Sequence, residues 1–162
     1  MKLTAGDLAL RTAVVLLMVV GGMGAVSSAQ SANSYPGRIV GVWDVQVTVL
    51  NCSNGVQVGS FRGLHKYELG GTAQFVPSTN PAALSPHVGV WSPATKDQYQ
   101  VAFKMFQFDP SGNNVGWAVV RSTVAVSADG TQYAGTGQAQ FFDLNGNLLG
   151  ASCPTFAGTR FK

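Results

Sequence analysis

The sequence predicts an all-β protein, a single antiparallel up-and-down β-barrel of about eight strands, behind an N-terminal signal segment. Three observations carry this. Apolar residues recur at every second position through most of the chain. Gly-rich and Asp-Gly or Asn-Gly turns separate the alternating runs. Only 10% of the side chains are charged against 46% hydrophobic, a balance that excludes both a disordered chain and a coiled coil. The 162 residues suit one domain.

The N-terminus reads as a targeting signal. Lys2 and Arg11 precede the apolar run 12–20, and Val26-Ser27-Ser28-Ala29 supplies a small-residue cleavage site before Gln30. The competing reading, an uncleaved anchor, needs roughly 20 apolar residues in succession, and this run is shorter. The expected organisation is therefore a signal peptide at 1–29, a short linker at 30–38 and a barrel domain at 39–162. The expected destination is the periplasm or the outside of the cell, with no membrane span after cleavage. The remaining basic residues are scattered singly, so no stripe for nucleic acid or an anionic membrane is visible.

The strands follow in order. In 39–50, Ile39, Gly41, Trp43, Val45, Val47 and Val49 share one face. In 60–69, Phe61, Gly63, His65, Tyr67 and Leu69 oppose Arg62, Lys66 and Glu68. Short strands are expected at 72–76 and 87–91. In 99–108, Tyr99, Val101, Phe103 and Met105 align. A long strand at 114–127 precedes 131–142, where Tyr133, Gly135, Gly137, Ala139 and Phe141 align. The segments 147–152 and 156–161 form one bent strand or two short ones. The interruption at 77–86 contains three prolines, which prevent a long helix and suit a flap over an open barrel end.

A sandwich or a barrel would bury these apolar faces. Cys52 falls at the end of the first strand and Cys153 near the start of the last. In an oxidising compartment two cysteines most simply pair, and pairing of first and last strands would make these neighbours at a barrel seam. A free catalytic thiol is the alternative, without a partner motif around either cysteine.

Gly41-Val42-Trp43 resembles the Gly-x-Trp signature of lipocalins and related calycin barrels. The resemblance implies that Trp43 closes one barrel end and that Arg160, in Gly158-Thr159-Arg160-Phe161, stacks on it. A Thr-Asp-Tyr-like turn and a long helix after the barrel, both usual in lipocalins, are not found in the sequence. The wider pattern, with His87-Val88-Gly89-Val90-Trp91 and the closing meander, resembles secreted bacterial proteins to which no activity is attached.

His65 stands on the inward parity of its strand, where it would orient a ligand, act as an acid or base near neutral pH, or be bonded to a neighbouring backbone or hydroxyl group. His87 follows Pro86 at an expected barrel rim, and the two histidines without a carboxylate or thiolate at ligand spacing do not make a metal site. Gly63, Gly135 and Gly137 either leave room inside or relieve curvature. Tyr67, Tyr99, Phe103, Met105, Tyr133 and Phe141 would line that room. Arg121 meets a ligand carboxylate if inward and solvent if outward. Phe106 and Phe108 share outward parity with Lys104, suggesting a subunit contact and a homo-oligomer. Nucleophile elbows, phosphate loops and zinc-protease motifs are not found, and the acidic residues fall mostly in turns. No cofactor is implied. The leading expectation is a non-catalytic binder of a small hydrophobic or amphipathic molecule. A cyclase or isomerase acting on a lipid-like substrate, and a filled barrel acting through its outer surface, are the alternatives.

Overall fold

The computed structural model describes residues 37–162, so the expected signal segment and most of the linker lie outside the described residues. Eight strands run in chain order: β1 (Gly41–Leu50), β2 (Gln57–Tyr67), β3 (Thr72–Pro77), β4 (His87–Pro93), β5 (Gln98–Phe108), β6 (Asn114–Val126), β7 (Gln132–Asp143) and β8 (Leu148–Arg160). Each pairs antiparallel with the next, and β8 returns to β1 to close the barrel. This closure satisfies the period-2 alternation. Each strand has one apolar face, and closure buries all of these faces while leaving no open sheet edge.

The seam between β1 and β8 runs from Trp43↔Arg160 to Leu50↔Cys153. Cys52 and Cys153 form a disulfide there, with Cα atoms 5.1 Å apart. The C-terminal segment is one strand, not two short ones, and it carries Pro154 within it. Leu69, expected on the inward face of β2, lies beyond the strand and is 71% exposed. Ile39 precedes β1 and is fully buried in the turn that crosses the barrel end.

The two barrel ends differ. Around Trp43 the interior is filled: Ile39, Trp43, Tyr67 and Tyr99 are all buried. Arg160 stands over Trp43, its guanidinium carbon 4.3 Å from the ring centroid. It donates from Nε to the Gly130 carbonyl at 2.7 Å and from Nη1 to the Val40 carbonyl at 2.8 Å, and Nη2 donates to the Arg38 carbonyl. A side chain at residue 41 would place its Cβ 2.6 Å from Arg160 Nη1, on a backbone with φ +130°. This is why glycine begins the Gly-x-Trp segment.

The opposite end is covered by the loop between β3 and β4. Leu84 bridges Gln107, Ser85 N–H donates to the Phe106 carbonyl at 3.0 Å, and Phe108 N–H donates to the Ala83 carbonyl at 2.9 Å. On the outer wall, Phe106, Trp117 and Phe142 form a cross-strand row. Lys104 Nζ lies 4.9 Å from the Trp117 ring centroid and 5.8 Å from that of Phe106. Phe106 is thus exposed as expected, whereas Phe108 follows a register shift after Gln107 and is half-buried.

Candidate functional site

Beneath the loop lies an apolar cavity of about 150 Å³. His65, His87, Phe103, Met105, Phe141 and Phe156 form much of its wall, and Leu84 of the covering loop reaches it. Alternation on β5 points Phe103 and Met105 inward, and alternation on β7 does the same for Phe141. The cavity exists because the inward positions facing these rings are small: Ala118 on β6 and Ala139 on β7.

His65 sits at the boundary between cavity and filled end, surrounded by aromatic rings. Phe75 is 4.3 Å away, Phe103 5.3 Å and Phe156 5.9 Å, centroid to centroid. Its Nδ1 meets the Tyr67 hydroxyl at 3.0 Å and the Tyr133 hydroxyl. The two hydroxyls and the ring nitrogen form one buried cluster, in which the ring either accepts a tyrosine O–H at Nδ1 or donates its own N–H to a tyrosine oxygen. Burial, with a smaller contribution from His87, holds the His65 pKa down at about 3. Burial pushes the Tyr67 and Tyr133 hydroxyls above the usual tyrosine value.

His87 opens β4 but does not stand at the rim. It pairs across from Phe75, is 5% exposed, and lines the cavity. Its ring centroid lies 5.0 Å from that of Phe75 and 6.4 Å from that of Phe103. Its Nε2 is buried and has no hydrogen-bond partner among the described residues. Desolvation alone lowers its pKa to about 4.

The expected lining thus divides in three. His65, Phe103, Met105 and Phe141 border the cavity. Tyr67, Tyr99 and Tyr133 are inward but belong to the filled end: Tyr133 packs edge-on to Trp43 at 5.0 Å and Tyr99 to Trp91 at 5.7 Å. Arg121 does not belong to the site at all. It is exposed on the outer wall, because Ala118, Val120, Ser122 and Val124 take the inward positions of β6. The inward glycines do not make the cavity either. A Cβ at Gly63 would lie 2.4 Å from Phe75, one at Gly135 2.6 Å from the Thr123 carbonyl, and one at Gly137 2.7 Å from the Arg121 carbonyl. They serve ring packing and close strand approach.

Sequence reasoning missed Phe75, Phe156 and the inward place of His87. Phe75 shares parity with Ala73 in a strand that alternates cleanly, so the signal was present. Phe156 follows a proline within β8, which hid the facing of that strand.

No family model matches the sequence, and no curated protein matches it. A solved structure described as a redesigned beta barrel is similar to this chain at 18% identity and a TM-score of 0.44, over 77% of this chain and 93% of that one.

Proposed function

We propose that this protein is an exported, lipocalin-like barrel that holds a small apolar or amphipathic molecule in its interior without transforming it. The cavity carries this reading. Protein cores are packed with few voids larger than a water molecule. An apolar space of about 150 Å³ leaves the side chains around it without packing partners, and a molecule that fills the space supplies them. Phe103, Met105 and Phe141 supply apolar contact, while His65, fixed by Tyr67 and Tyr133, supplies one polar point. The pairing of Arg160 with Trp43 supports the lipocalin-like reading. A signal at 1–29, a linker at 30–38 and a barrel at 39–162 complete the proposal, and a cysteine pair at bonding distance fits an oxidising compartment. Neither histidine titrates near neutral pH, which favours binding over acid–base catalysis.

Native mass spectrometry of the protein purified from the exported fraction without detergent tests the proposal. The expected species begins at Gln30, carries one disulfide and retains a small molecule that solvent extraction releases. A clean unliganded mass that stays unchanged after incubation with a lipid extract would overturn it.

A further inference from the structure

We infer that the cavity selects a bare hydrocarbon of about six carbon atoms and discriminates against the same molecule once it carries a hydroxyl or a charge. This rests on the cavity-binding reading and narrows it from apolar or amphipathic ligands to apolar ones. Three observations converge. First, among the described residues that line the space, only His65, His87, Gln107 and Ser152 have nitrogen or oxygen in their side chains, and the surface presented to the space is almost wholly apolar. His87 Nε2 is sealed in the wall with essentially no accessible surface, beside the rings of Phe75 and Phe103. His65 Nδ1 is already engaged by the Tyr67 and Tyr133 hydroxyls. One polar point of that kind does not replace the hydration of a hydroxyl, which has one donor and two acceptor sites to satisfy. Second, no Lys, Arg, Asp or Glu among the described residues lines the cavity, and Arg121 lies outside the barrel, so an anion would be buried without a counter-charge. Third, an apolar space of about 150 Å³ matches the size of cavity that stays dry and accepts benzene. The size is set by Ala118 and Ala139, the small inward residues that face the rings.

The test is calorimetric titration of the disulfide-bonded protein at pH 7 with benzene, phenol and benzoate. Benzene is expected to bind saturably. Phenol is expected to bind at least roughly 5-fold more weakly, the effect of burying a hydroxyl that lacks partners. Benzoate is expected to show no saturable binding. Ala139→Leu, which fills the space from β7, is expected to lose benzene binding. Phenol binding as tightly as benzene, saturable binding of benzoate, or undiminished benzene affinity in a folded Ala139→Leu would each overturn the inference. The order of the three ligands on the wild type decides the matter even where Ala139→Leu does not fold. Phenol or benzoate binding as tightly as benzene leaves the cavity reading standing. Absence of binding by all three overturns both.

Discussion

Trp43 and Arg160 are direct cross-strand partners at one end of the seam between β1 and β8, while the disulfide Cys52–Cys153 ties the same two strands at the other end. The barrel is thus clamped where its chain closes on itself. The guanidinium does more than cover an indole face. It gathers the carbonyls of Arg38, Val40 and Gly130 around the filled end. A lysine keeps the charge but lacks the planar fork that reaches three acceptors. Arg160→Lys is expected to lower unfolding stability by about 2–4 kcal/mol. Urea unfolding checks this, and a loss too small to resolve would mean the carbonyl contacts contribute nothing net.

The disulfide closes a sequence separation of 101 residues. Chain entropy assigns roughly 4.7 kcal/mol to a loop of that size. The double variant Cys52→Ser, Cys153→Ser is expected to unfold about 2–5 kcal/mol more easily, as native disulfides of small domains generally do. Reduction of the wild type should reproduce the effect in the same unfolding assay. Matching midpoints for oxidised and reduced protein would contradict it.

Acid should weaken the fold in a defined window. Both histidines titrate lower when folded, at about 3 and about 4, than the ordinary value of 6.5. Between those limits the unfolded chain binds more protons, so stability falls as pH drops from 6.5 toward 4, by up to about 1.4 kcal/mol per pH unit for each histidine. Asp109, Asp129 and Asp143 are held below the usual carboxylate value, first by the side chains of Asn113, Ser127 and Asn147 respectively, and their contribution is lost only at lower pH. His87→Leu is expected to flatten the limb between pH 6.5 and 4 in thermal melts. An unchanged slope in that variant would show that His87 is not buried neutral.

The outer and inner walls should respond oppositely to substitution. Gly137→Ala sets a Cβ 2.7 Å from the Arg121 carbonyl and is expected to cost about 1–3 kcal/mol. Arg121→Ala, on the exposed face of β6, is expected to change stability by less than about 0.5 kcal/mol and to leave ligand affinity untouched. Chemical unfolding of the two variants side by side decides, and a tolerated Gly137→Ala would sink the close-approach account.

Most of the barrel was legible because its strands are half-buried and period 2 is then unambiguous. Trp43, Val45 and Val47 on β1 and Tyr99, Val101, Phe103 and Met105 on β5 face inward as their alternation requires. The cavity was less legible, because alternation states which side of a wall a residue takes and not how high along the barrel it stands. Tyr67, Tyr99 and Tyr133 face inward like Phe103 yet pack into the filled end. The height of each depends on register between strands distant in the chain, which no local pattern encodes. His87 illustrates the same gap: its position after Pro86 suggested a rim, but pairing with Phe75 carries it into the wall. The glycines misled for a related reason, since an absent side chain marks either empty space or a close neighbour. In β7 the neighbour is the backbone of β6.

The central claim is that the space inside the barrel accepts a small apolar molecule. Methyl-resolved NMR titration with benzene tests it most directly, because Met105, Ala118, Val120 and Ala139 place methyl groups on the cavity wall. The account predicts saturable shifts at these four residues, with Val90 and Ala151 on the exposed outer wall unmoved. Cavity methyls that stay in place up to the solubility limit of benzene would contradict it.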